Sequence, residues 1–155
     1  MRYWLMKSEP DEFSIDDLAA ARGRTTPWFG VRNYQARNFM RDQMRPGDQA
    51  FFYHSSCPEP GIAGIVEIVS GAIPDETQFE PNGPYFDPGA TREAPRWYCV
   101  KVRLVKKTPL VSLADLRGER ALAGMRVLAR GNRLSITPVE TNEWNCIVNK
   151  LMVKR

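Results

Sequence analysis

Histidine is all but missing from this chain: His54 is the only one in 155 residues. That excludes a His-rich metal site, and no Cys-x-x-Cys or His-x-x-x-His spacing offers another, so neither a metal nor another cofactor is expected. Cysteine is scarce too. Cys57, Cys99 and Cys146 are odd in number and far apart, which suits reduced thiols in a cytoplasmic protein better than a disulfide framework. Long apolar runs are absent; none approaches the roughly 20 residues of a membrane helix, so no membrane partner is expected. The opening MRYWLMKSEP lacks the apolar stretch of a secretory signal. Glycine-rich phosphate loops are lacking as well. Gly61-Ile-Ala-Gly64 is not followed by Lys-Ser/Thr, and the dinucleotide-binding glycine pattern does not occur.

What remains is ordinary globular material, 43% apolar and 26% charged, of a length that suits one domain over residues 1–155. The net charge of +4 conceals a pattern. Residues 18–47 hold six arginines (Arg22, Arg24, Arg32, Arg37, Arg41 and Arg45) against Asp42 alone. In residues 48–95 Arg92 is the only base among eight acids, and residues 96–133 hold ten bases against Asp115 and Glu119. Arginine forks suit phosphates, so a polyanion partner is one reading of the basic blocks. A solvated helical face is the other.

Arg2–Lys7 reads as a strand ended by Pro10. Ser14 with Asp17 three residues on marks a short helix that closes near Gly23. Thr25–Gly30 reads as a loop. Asn33–Met44 has no Gly or Pro, and Ala36, Met40 and Met44 recur at helical spacing, as do Arg37, Arg41 and Arg45. An amphipathic helix with an arginine ridge follows, stopped by Pro46-Gly47. Asp48–Ser55 and Gly61–Ser70 read as strands. Residues 72–95 carry five prolines and form a long irregular segment, usually a functional or disordered one. Trp97–Val105 alternates as a half-buried strand with one basic face, Leu113–Leu116 is a helical turn, and Leu134–Ile136 is a short strand. Thr141 can cap a last helix with Trp144, Ile147, Val148 and Leu151 on one face. Strands and helices in no regular βαβ alternation imply an α+β domain around a small, mostly antiparallel sheet or barrel.

Three stretches offer chemistry. Trp28-Phe29-Gly30-Val31-Arg32-Asn33 joins an indole that can stack a planar ring to an asparagine that can read a base edge; the competing reading packs Trp28 in the core and uses Asn33 as a helix cap. Tyr53-His54-Ser55-Ser56-Cys57 puts a thiol three residues from an imidazole with no visible orienting group, so a polar pocket wall fits better than a Cys–His hydrolase. Arg130-Gly131-Asn132-Arg133 presents two arginines at a turn, as a phosphate contact or a solvated turn. The carboxylate pairs Asp16/Asp17 and Asp75/Glu76 read as solvated surface.

These motifs in order resemble the EVE domain family. They comprise Tyr3-Trp-Leu-Met-Lys-Ser-Glu-Pro10, Trp28-x-Gly-Val-Arg-Asn-Tyr-Gln-Ala-Arg-Asn38, Phe52-Tyr-His-Ser55, Gly61-Ile-x-Gly64, Trp97-Tyr98 and Arg133-Leu-Ser-Ile-x-Pro-Val139. The resemblance covers nearly the whole chain. It implies a PUA-like fold, a small β-barrel decorated by helices and related to YTH domains. It also implies a non-enzymatic module that recognises a modified nucleobase in DNA or RNA, of the 5-methyl- or 5-hydroxymethylcytosine or methyladenine type, flipped into an aromatic pocket. Lys7-Ser8 resembles the Lys-Ser pair at the end of the first YTH strand, and Trp28 resembles the YTH cage tryptophan. On this reading Trp28, Asn33, Lys7, Ser8, Ser55, His54, Trp97 and Tyr98 form the nucleobase pocket. Arg32, Arg37, Arg41, Arg130 and Arg133 hold phosphates. One position departs from the family pattern: the residue after the motif tryptophan is usually acidic and here is Phe29. Two rivals are a small-molecule or nucleotide pocket, with hydrolysis through His54 or Cys57, and a protein adaptor using the 72–95 segment.

Overall fold

In a computed structural model that describes residues 1–154, eight strands and four short α-helices follow one another along the chain. They are β1 (Tyr3–Ser8), α1 (Ile15–Ala20), β2 (Thr25–Pro27), α2 (Tyr34–Asn38), β3 (Gln49–His54), β4 (Gly61–Ile68), β5 (Ile73–Pro74), β6 (Tyr98–Cys99), β7 (Lys101–Ser112), α3 (Leu113–Arg117), β8 (Ile136–Val139) and α4 (Thr141–Cys146). Six strands form one sheet in the order β2-β7-β4-β3-β1-β8, and β5 pairs with β6. Only β1 and β3 run parallel; the other pairs are antiparallel.

The period-2 alternation of strands sorts side chains into two cores. Trp4 and Met6 of β1 and Ala50 and Phe52 of β3 face one side, with Leu18, Ala36 and Met40 of the N-terminal helical segments. Leu5, Phe51 and Tyr53 face the other, with Leu116, Trp144 and Ile147. Each face is covered by its own helical layer, so the central strands are apolar on both sides. Phe51 and Tyr3 both stack on Trp144, with ring centroids at 4.0 and 4.3 Å.

Several local expectations shift. Ser14 and Asp17 do form a capping box on α1. The helix expected over 33–44 is regular only through Asn38; Phe39–Gln43 widens into a turn closed by the Met44 N–H on the Phe39 carbonyl at 2.8 Å. Ala36, Met40 and Met44 remain buried through this change. The last helix is capped by Glu140 in a box with Glu143, not by Thr141. Thr25–Pro27 is a strand rather than a loop, and the strand from Trp97 divides at Val100, where its two parts join different sheets.

The sheet does not close on itself. The resemblance implies a barrel, but no pairing joins the edge strands β2 and β8 among the described residues. Both edges are short, and Pro27 ends β2 without an N–H to donate. The sheet is mixed and open, and its unclosed side is where the site lies.

Candidate nucleic-acid interface

A cavity of about 450 Å³ opens there, within the range of ligand sites. One wall is the C-terminal end of β1, where Lys7 and Ser8 lie beside Ser55 and Ser135. Strand pairing brings these together: Ser55 N–H donates to the Ser8 carbonyl at 3.0 Å, and Lys7 N–H donates to the Ser135 carbonyl at 2.8 Å. Thr26 and Pro27 of β2, then Trp28, Phe29 and Gly30, make the facing wall. Trp28 is only 7% exposed, its ring edge-on to Phe52 at 5.3 Å, so a buried indole lines the cavity. Glu9, Glu12, Phe13, Arg32 and Tyr85 also line it, with Arg133 exposed at its margin.

The Trp28 loop is held by a polar knot. Asp75 is 1% exposed, and its carboxylate accepts from Gly30 N–H at 2.8 Å, from Thr77 N–H at 2.9 Å, from the Thr77 hydroxyl, and from Arg32 Nη1 at 3.1 Å. Arg32 spends its other N–H groups on the Val31 carbonyl, the Thr77 hydroxyl and, twice, the Tyr85 carbonyl. All five guanidinium donors are thus engaged inside the protein, which leaves none for a phosphate. Arg32 organises the wall instead. Tyr85 in turn donates its hydroxyl to Glu12 Oε1 at 2.8 Å, and burial, then that bond, push its phenol pKa up. Asp75 therefore corrects the reading of Asp75/Glu76 as surface. The local signal was present: an aspartate two residues before a threonine whose N–H it caps.

Gly30 is bound into the same knot. Its φ is +88°, and a Cβ there would stand 2.9 Å from Tyr85 Cζ. Gly30→Ala is expected to cost more than about 1 kcal/mol through the backbone alone, and more because the Tyr85 ring must move. Chemical denaturation checks this, with an unchanged midpoint as the contrary result.

Of the thirteen residues proposed from sequence, the structure brings Lys7, Ser8, Ser55, Trp28, Arg32 and Arg133 to this cavity. The others lie elsewhere. Asn33 caps α2, its Oδ1 accepting from Ala36 N–H at 3.0 Å. Trp97 is buried, stacked on Tyr34 at 4.9 Å beneath Arg32 and Arg37, and donates Nε1–H to Asp87 at 2.8 Å. Its neighbour Tyr98 sits in β6, beside β5. Arg37 bonds Asn38 and the Arg96 carbonyl, Arg41 pairs with adjacent Asp42, and Arg130 lies exposed two residues before the Asn132 turn. The basic blocks are partly neutralised by the acidic block between them, through Arg32–Asp75, Arg96–Asp87 and Arg103–Glu67.

His54 is also structural in its contacts. Its Nε2 accepts from Ile15 N–H at 3.1 Å, satisfying a free donor at the start of α1, and its ring meets Phe52 edge-on. Burial lowers its pKa, against a smaller opposing pull from Asp16. Because the unfolded chain then binds the extra proton first, stability is fully present above the unfolded value near 6.5 and declines as pH falls toward the folded value. His54→Gln, which keeps an acceptor, is expected to flatten the fall in melting temperature as pH drops below about 6.5. An unaltered profile contradicts this assignment.

Lys7 is the cation set apart. Its side chain is half-buried, its ammonium has no hydrogen-bond or ion-pair partner among the described residues, and desolvation lowers its pKa. With Arg133 it gives the cavity free donors, while Glu9 and Glu12 give acceptors. A half-enclosed site with an aromatic wall and both kinds of hydrogen-bonding group suits a flat, polar heterocycle.

The EVE domain model matches residues 2–150. The chain belongs to the EVE domain family. Among its relatives, human thymocyte nuclear protein 1 is 44% identical over 95% of this chain and 72% of its own length. This EVE domain also superposes on the crystal structure of human THYN1 protein in complex with 5-methylcytosine-containing DNA. There the TM-score is 0.93 at 43% identity, covering 100% of this chain and 99% of that one. A protein from Pseudomonas syringae matches with a TM-score of 0.89 at 48% identity over 95% of this chain and 97% of that one. No helix of this EVE domain, among the described residues, is long and apolar enough to cross a membrane.

Proposed function

We propose that this EVE domain is a non-enzymatic DNA-binding module that takes a modified base of the 5-methylcytosine kind, flipped out of the duplex, into the Trp28 cavity. The observation that carries the reading is the full-length likeness to human THYN1 protein, solved with 5-methylcytosine-containing DNA. The cavity's composition supports it. Trp28 stacks the base, the free Lys7 ammonium and the Glu9 and Glu12 carboxylates can meet donor and acceptor edges, and exposed Arg133 can meet a flanking phosphate. The hydrolase alternative gains no support, because the His54 nitrogen that would serve as base already accepts a backbone N–H.

Magnitudes divide the work. Stacking one base on an aromatic ring is worth about 1–3 kcal/mol. Burying one methyl group adds about 0.8 kcal/mol, roughly a fourfold preference. Phosphate contacts therefore set affinity, and the cavity sets a modest preference. Binding of a 5-methylcytosine duplex and its unmodified twin across a salt series tests this. Affinity falls with salt, while the roughly fourfold preference holds at each concentration. Absence of binding to either duplex at low salt sinks the reading.

A further inference from the structure

Among the described residues three aromatic rings are exposed: Phe29, Tyr34 and Phe86. Tyr34 is stacked on Trp97 with the Arg37 guanidinium over its face, so its exposure has a use within the fold. Of the three, only Phe29 lines the cavity. It is 47% exposed, beside a Trp28 that is 7% exposed. Its backbone is not free to bury it. Trp28 N–H donates to the Val100 carbonyl at 2.8 Å, Gly30 N–H donates to Asp75 at 2.8 Å, and Gly30 lies against the Tyr85 ring. The chain is fixed on both sides of a phenyl group left in water, next to the base-sized opening and the exposed Arg133.

We infer that Phe29 is a wedge: when a base leaves the duplex for the Trp28 cavity, the phenyl ring enters the vacated place and packs on the neighbouring base pair. The inference rests on the base-flipping reading above and extends it to the duplex left behind. Extruding a base breaks its stacking on both neighbours. An apolar side chain inserted at that step restores part of it, and Phe and Leu both serve this purpose in proteins that open base steps. The pinned loop makes the ring available without a rearrangement, so little conformational freedom is lost on binding. Trp28 and Phe29 then divide one task, the first holding the flipped base and the second holding its gap.

The wedge acts only where a gap exists, which sets the test. Wild type, Phe29→Ala and Phe29→Leu are titrated with a duplex carrying one central 5-methylcytosine, and with the modified strand alone. Melting temperatures confirm that the variants fold. The ratio of duplex to single-strand affinity is expected to fall about tenfold in Phe29→Ala, the scale of one stacking contact, and to recover largely in Phe29→Leu. An unchanged ratio in Phe29→Ala, whether both affinities fall together or neither does, overturns the wedge and leaves the cavity reading standing. Failure of wild type to bind either form overturns the cavity reading and the wedge with it.

Discussion

Trp28→Ala lowers affinity for a 5-methylcytosine duplex by about 1–3 kcal/mol, roughly five- to 150-fold, because one stacking face is lost. The preference for the modified base disappears with it, since the methyl group no longer meets a wall. The slope of affinity against salt stays the same, because the cations that meet phosphates are untouched. This combination separates a base contact from general weakening. Trp28 is also buried against Phe52, and removing an indole from such a place costs about 3–5 kcal/mol of stability. Trp28→Phe is therefore the companion variant. It keeps an aromatic face and most of the packing, and its loss of affinity is expected to be smaller than that of the alanine variant. Unchanged affinity in a folded Trp28→Ala protein contradicts the assignment.

Asp75→Ala is expected to cost about 3–5 kcal/mol of stability. The carboxylate is the common acceptor for Gly30, Thr77 and Arg32, and its loss strands the half-buried Arg32 guanidinium and the Gly30 N–H. For a chain of this size that corresponds to a fall in melting temperature on the order of 10 °C. Because the same knot fixes the loop bearing Trp28 and the Tyr85 backbone, base binding weakens too, although Asp75 is absent from the cavity lining. Asp75→Asn keeps the shape but turns one acceptor into a donor facing other donors, so it recovers little. Thermal melts of both variants check the prediction; a shift of under about 2 °C in both removes Asp75 from this role.

Much of this architecture can be read from local pattern, because its causes are local. The cap of α1 is written in Ser14 and Asp17, the cap of α2 in Asn33, and the two-sided burial of β1 in Tyr3–Lys7. The site is legible in part for the same reason. Lys7 and Ser8 end a strand, Ser55 directly follows its parallel neighbour, and the motif tryptophan begins a loop. What local pattern misses depends on distance along the chain. Tyr85 reaches Glu12 across 73 residues, and Asp75 reaches Gly30 across 45. Nothing near Tyr85 in the sequence announces that its carbonyl will take two bonds from Arg32. Charge counting misleads in a related way. The arginine block looks like a polyanion grip, yet Arg32 is consumed by an internal carboxylate, and Arg37 and Arg41 have partners of their own. The expected barrel stays open between the three-residue edge strand β2 and β8, and Thr26 and Pro27 of that edge line the cavity.

The central claim is that a flipped modified base occupies the cavity beside Trp28. A crystal structure of this EVE domain with a duplex bearing one 5-methylcytosine tests it most directly. The methylated ring is expected inside the cavity, against the Trp28 indole, with Lys7 or the Glu9 and Glu12 carboxylates on its polar edge. A complex in which that base stays stacked in the duplex, and the Trp28 cavity holds no part of the DNA, contradicts it.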